Sequence, residues 1–392
     1  MQIDQKNASE SSIAGIAPAQ NISKIPLLDL TRFIKPRFER WSEMVREALS
    51  SGKILNGPHK QAFEKEFAEY LGVKHVLGVA SGTDALWLSL KGLGVGPGDE
   101  VITHANAFIA DLEAILTAGA IPVLVDMSAK DFGPDPELVK KAITPKTKAI
   151  LAVHLCGLAA DLDPLLAISR ETGVPLIEDA SQAQGATYKG KRVGSFGRVN
   201  AFSFGPVKNL AAIGDAGCIA TNDSELFERL KIMAVHGQEK KYVHVCYGWN
   251  SRLDEIQAAW LRIGLEDLDQ RNSMRQKVYQ EFRDAFKDLP VTMMLDDASQ
   301  TSVFHQGVVL TSKKNELKSY LSEQGIETGF YYPEPLHRQP AWKSAGLSTG
   351  SFPRAEEYGA QNLALPVFAE LTEEEIGRII RGVRMFFGVE SM

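Results

Sequence analysis

From position 75 onward, short apolar runs alternate with longer stretches in which apolar residues return every third or fourth position. The runs HVLGVA (75–80), EVIT (100–103), IPVLVD (121–126), KAILAVHL (148–155), PLIE (175–178), NAFSF (200–204) and CIAT (218–221) read as strands. Between them the spacing predicts helices over Asp84–Leu93, Asp111–Ala118 and Pro164–Thr172, the last two closed by Gly119 and Gly173. Helices over Trp41–Leu49 and Lys60–Leu71 precede the first strand, and Ser224–Val235 and Asp254–Leu268 follow the last. Strands that are apolar throughout must be covered on both faces. The pattern therefore predicts an α/β fold with a mostly parallel central sheet flanked by helices. Beyond Arg271 the order changes to a helix Met274–Phe286, a strand-like Val303–Leu310, and helices Asn315–Gln324 and Thr372–Phe387. These shifts predict a flexible amino-terminal arm (1–25), a large α/β domain (26–270) and a small carboxyl-terminal α+β domain (271–392).

Composition narrows the function class. The chain has 392 residues, 44% hydrophobic and 23% charged, as in ordinary soluble proteins. Its 43 Lys and Arg against 49 Asp and Glu leave a net charge of −6, which gives no global field for nucleic acid or an anionic membrane. No apolar run approaches the ~18–20 residues of a membrane span, and the polar start lacks the apolar stretch of a secretory signal. Cys156, Cys218 and Cys246 are scattered, so neither a disulfide framework nor a cysteine-rich metal site is expected. The expectation is a soluble cytoplasmic enzyme with no metal, nucleic acid or membrane partner.

Two segments carry candidate chemistry. IEDASQAQG (177–185) follows one strand and SFGPVKNL (203–210) overlaps the end of another. In an open α/β sheet, ligands bind beyond the carboxyl ends of the strands, so both segments should face one crevice. Asp179 and Lys208 brought together there suit pyridoxal phosphate: the lysine condenses with the aldehyde as a Schiff base, and the acid pairs with the pyridine nitrogen. Taken alone, the same residues also read as a solvated lysine, a helix-capping aspartate, or an ordinary ion pair. Ser81-Gly82-Thr83 sits between a strand and a helix, where free N–H groups favour a phosphate, although a simple helix cap reads the same way. Ser203, five residues before Lys208, could serve that phosphate. The glycines at 92–98 lack G-x-G-x-x-G spacing and precede a strand, so they read as a turn and not a dinucleotide site.

The ordered set SGTDAL, EDASQAQG, SFGPVKNL with the trailing GDAG, HG at 236–237, GWNSRLDEIQAA and YYPEPLHRQP resembles the DegT/DnrJ/EryC1/StrS family of sugar aminotransferases. The resemblance covers Pro26 to Gly388 and implies a fold type I pyridoxal phosphate enzyme. It implies that Lys208 is the Schiff-base lysine, Asp179 the partner of the ring nitrogen, and Gln182 a neighbour of the ring hydroxyl. Phe108 falls where an aromatic ring stacks on the cofactor, and Gly82, Thr83 and Ser203 where the phosphate is cupped. Asn250 matches an asparagine given by the neighbouring subunit, which implies a homodimer with shared sites. Tyr331 stands where many relatives have His, so Tyr332 and His337 read equally as packing residues. Lysine at 208, where a dehydrating branch has histidine, favours transamination from glutamate. The sequence after Asn250 resembles relatives acting at a 3-keto group, which implies a keto-sugar that is nucleotide-linked, a sugar phosphate or a free cyclitol. For a nucleotide-linked one, Lys240, Lys241 and Arg252 are candidate cations that read equally as a solvated face. The alternatives are a pyridoxal phosphate-dependent dehydratase or eliminase and a non-catalytic cofactor-binding regulator.

Overall fold

The computed structural model describes residues 24–294, 298–347 and 350–389. Most of the expected arm, residues 1–23, lies outside the described residues. Its last residue corrects the expectation: Ile25 is fully buried and forms a parallel bridge with Ile326. An apolar side chain seated among the carboxyl-terminal helices belongs to that core and not to an arm.

After a short helix over Leu30–Ile34, two longer ones lead in, α1 (Phe38–Ser51) and α2 (Pro58–Leu71). Proline in the first turn of α2 has the backbone angle a helix start needs, and Gly72 closes it at φ 72°. Seven strands then build the central sheet: β1 (His75–Val79), β2 (Glu100–His104), β3 (Ile121–Val125), β4 (Thr147–Val153), β5 (Leu176–Asp179), β6 (Val199–Ser203) and β7 (Gly217–Thr221). Their order is β1-β7-β6-β5-β4-β2-β3. Only β7 runs against its neighbours; the other pairings are parallel. Helices α3 (Gly82–Gly92), α4 (Ile109–Thr117) and α5 (Leu162–Thr172) connect strands of this sheet, and α6 (Ser224–Met233) follows its last strand. Separate buried clusters lie on the two faces of the sheet, Phe67, Ile150 and Phe202 in one and Val101, Leu151 and Ala201 in the other. This is the doubly covered α/β sheet the apolar runs predict.

The register fixes the site. Val153, Asp179 and Ala201 are cross-strand partners, so the carboxyl ends of β4, β5 and β6 finish in one row. Helix α7 (Glu255–Glu266) stops two residues earlier than the pattern suggests. A new helix, α8 (Leu268–Phe286), starts after Asp267, whose ψ of 13° breaks the helical path. A three-stranded antiparallel sheet of β8 (Thr292–Met293), β9 (Gly307–Leu310) and β10 (Asn362–Leu365) follows, with helices α9 (Lys314–Glu323) and α10 (Glu373–Phe386). The strand expected over Val303–Leu310 is confined to its second half, because Phe304 takes a left-handed φ of 42° that no strand tolerates. No helix among the described residues is long and apolar enough to cross a membrane.

Candidate active site

Adjacent residues of β5 point to opposite faces, and the two acids there meet opposite fates. Glu178 accepts hydrogen bonds from the N–H groups of Gly194, Phe196 and Gly197, each at 2.7 Å, and from His154 Nε2 at 2.9 Å. Since His154 Nδ1 accepts from Ala160 N at 3.0 Å, its Nε2 is the protonated nitrogen. Burial alone would raise the Glu178 carboxyl, but His154 and the loop N–H groups hold it below the ordinary value. Asp179 emerges at the edge of the sheet, 5% exposed, where one of its oxygens accepts from Ser181 N at 2.9 Å.

Lys208 reaches the same edge from the β6–β7 connection. Its backbone N–H bonds Gly205 O at 2.9 Å, and its neighbour Asn209 is held by four residues. Arg271 Nη2 donates to Asn209 O at 2.9 Å, Asn209 Nδ2 donates to Asn272 Oδ1 at 2.9 Å and to Val303 O at 3.0 Å, and His305 Nδ1 lies 3.2 Å from Asn209 Oδ1. Burial pushes the Lys208 amine below the ordinary lysine value, while the nearby Asp179, Asp111 and Cys156 pull the other way. A lysine with a lowered pKa carries more of the neutral amine, which is the nucleophilic form.

Gln182 is held at both ends of its amide. Its Oε1 accepts from Cys156 N at 2.7 Å, and its Nε2 donates to the Tyr332 hydroxyl at 3.0 Å. Tyr332 in turn stacks on Phe108, with centroids 5.3 Å apart and planes at 28°. Phe108 keeps 44% of its surface exposed, which a ring serving only the core would not do. Tyr332 is placed by Asn362 of β10, which accepts from Tyr331 N and donates to Tyr332 O.

Ser81 caps α3 by accepting from Asp84 N at 3.0 Å, leaving Gly82 and Thr83 in the first turn. A side-chain carbon at Gly82 would sit 2.6 Å from Ser203 Cβ, so only glycine lets the helix start approach the end of β6. Gly82, Thr83 and Ser203 are thereby brought to one place, beside free helical N–H groups. The 248–259 segment does more than cap α7. Ser251 Oγ donates to Asp84 and accepts from Ala80 N, while Gln257 Oε1 accepts from Ile213 N beyond Lys208. Asn250 stands apart from these residues, exposed on the surface, where its side-chain oxygen accepts from Arg252.

Sequence reasoning left Tyr332 open and missed Asp111. The doubled tyrosine at 331–332 was the signal for the first. Asp111, three residues after Phe108, looks like an ordinary acid in a helix's first turn, yet it is fully buried. A lysine and an aspartate at the carboxyl edge of a doubly covered parallel sheet, with an aromatic face and a helix start beside them, define a fold type I transferase site. The model of the DegT/DnrJ/EryC1/StrS aminotransferase family matches residues 38–384, and the chain belongs to that family. It is 42% identical, over 92% of its length and 96% of the relative's, to the dTDP-3-amino-3,4,6-trideoxy-alpha-D-glucose transaminase of Streptomyces venezuelae. It is also 42% identical, over 93% of its length and 98% of the relative's, to a "Pleiotropic regulatory protein" of Geobacillus stearothermophilus. Among solved structures, NtdA of Bacillus subtilis with bound cofactor PMP superposes with a TM-score of 0.88 at 31% identity, covering 94% of this chain and 86% of that one.

Proposed function

We propose that this protein is a pyridoxal phosphate-dependent aminotransferase that moves an amino group from glutamate to a nucleotide-linked 3-keto-hexose in amino-sugar biosynthesis. The observation that carries the reading is the convergence of Lys208, Asp179, Gln182, Tyr332 and Phe108 on one edge of the sheet. The cofactor fits the residues present. The glycine-dependent approach of α3 to Ser203 leaves a cradle where Gly82, Thr83 and Ser203 would hold its phosphate. Asp179 would face the ring nitrogen, Gln182 the ring hydroxyl, and the free face of Phe108 the ring itself. The sugar assignment follows the transaminase relative, and the amino form of the cofactor in NtdA supports transamination.

When bound, the cofactor supplies an exchangeable aldehyde and an electron-withdrawing ring. Lys208 Nζ, its proton affinity lowered by burial, takes the proton from the α-carbon of the amino donor and later returns one to the product. Asp179 holds a proton at the ring nitrogen and so stabilises negative charge that develops during that transfer. Tyr332 and Gln182 fix each other and the aromatic wall. Asn250, exposed and apart from its own chain's cluster, would complete the site of a second copy, so the working form is a homodimer. Incubation with isotopically labelled glutamate and a panel of nucleotide-linked keto sugars tests the reading. Label should pass into a 3-amino sugar, with glutamate consumed in equal amount. Sugar deoxygenation without loss of glutamate would point to elimination. Cofactor binding with no turnover would favour the regulatory role that the Geobacillus relative's name suggests.

A further inference from the structure

Asp111 is 0% exposed, and neither of its carboxylate oxygens makes a well-formed hydrogen bond to a donor. It lies in the first turn of α4, its backbone N–H bonded to Phe108 O, so it is carried on the same turn as the aromatic wall. A second acid adjoins it: the carboxyl of Asp179. The other groups facing this pocket are Lys208 from the β6–β7 connection, and Tyr332 and Cys156 around it. A buried carboxylate without well-formed hydrogen bonds is costly, and two in contact cannot both carry charge. A proton between them removes both costs and makes one acid the donor to the other.

We propose that Asp111 is a positioning residue that keeps its proton and donates a hydrogen bond to Asp179, so that the pair presents a single negative charge toward the ring nitrogen. The inference rests on the aminotransferase reading only for what Asp179 faces; the proton itself is a property of this chain. Burial first, then the Asp179 charge, pushes the Asp111 carboxyl well above its ordinary value, against the smaller pull of the Phe108 N–H and Lys208. Asp179 already accepts from Ser181 N, and the donation from Asp111 fixes its remaining orientation. Without that donor, Asp179 is free to rotate and to pair with Lys208 instead.

The test begins on the full chain stripped of cofactor. Above the ordinary carboxyl value the unfolded chain releases the Asp111 proton and the folded chain does not, so this group costs stability as pH rises. Between pH 5 and 7 the urea unfolding equilibrium of the wild type should shift toward unfolding about tenfold per pH unit relative to Asp111→Asn, which needs no proton. Infrared difference spectra should show a protonated carboxylic acid in the wild type at pH 8, absent from Asp111→Asn and from Asp111→Ser. Parallel unfolding curves, or no acid carbonyl assignable to position 111, would overturn the proposal. On the cofactor-loaded enzyme, Asp111→Ala should lower kcat by roughly tenfold to a hundredfold, the weight of a hydrogen bond to a charged group, and shift the pH midpoint of the cofactor's visible absorption. Asp111→Asn keeps a donor and should restore both; equal losses in the two variants would contradict the donor role. The first two readouts need no bound cofactor, so a failure of the aminotransferase reading would leave them standing.

Discussion

Two acids one residue apart on β5 show how the same fold makes a strut and a reactive edge. Glu178 turns into the protein, loses all contact with water and receives four hydrogen bonds. Asp179 turns to the sheet edge, where it accepts from Ser181 N and adjoins a second carboxyl, that of Asp111. A satisfied buried charge rigidifies the loop it gathers, here residues 194–197. An under-satisfied one holds electrostatic potential for something that binds later. The difference lies in what surrounds each side chain, since both are acids and both are buried.

The largest expected effect lies at the edge. Lys208→Ala should retain cofactor yet lose turnover by about 10⁴-fold or more, because both nucleophile and proton carrier are removed. Full activity in that variant would take the lysine out of the reaction. Next comes the strut: Glu178→Gln sets an amide N–H against donors that need an acceptor and should cost about 3–5 kcal/mol in urea unfolding, as for a broken buried pair. Its acid profile carries a sign. Glu178 is held below its ordinary value of 4.5, so the stability it lends is present above that pH and fades as pH falls through the lower folded value. The variant should lack this loss, and identical acid profiles would dissolve the contrast between the two acids. Asp179→Asn should leave stability near wild type while slowing the half-reaction with glutamate by about 10²–10³-fold, measured by stopped flow. Tyr332→Phe removes one hydrogen bond to Gln182 but keeps the stack on Phe108, so a loss of about tenfold or less in kcat/KM is expected.

The central sheet and the reactive side of this contrast were legible in the sequence, and the strut was not. The apolar runs marked the seven strands of the central sheet because strands covered on both faces leave little room for polar residues. Asp179 and Lys208 stood out because each follows a predicted strand closely, Ser203 because it precedes Lys208 by five residues, and Gln182 through the family resemblance. The carboxyl-terminal half was less readable. Strand β10 is only the four residues Asn362–Leu365, and its partner Gly307–Leu310 lies some fifty positions earlier, so no local period announces the pairing. The helices Pro136–Ala142 and Pro353–Gln361 also went unread; the first is seven residues long, and the second (PRAEEYGAQ) is mostly polar. Asp111 was invisible for another reason: an acid in a helix's first turn is the commonest of residues there, and only burial against Asp179 makes it unusual. Glu178 was likewise passed over beside the more conspicuous Asp179, since its four donors come from a loop sixteen to nineteen residues on and from His154, just past the end of β4.

Borohydride reduction of the cofactor-loaded protein, followed by peptide mapping, addresses the chemistry at the sheet edge most directly. The phosphopyridoxyl mass should appear on the peptide that contains Lys208 and nowhere else, and the yellow colour should bleach in step with it. A label on another lysine, or a colourless protein that reduction leaves unmodified, would contradict the assignment.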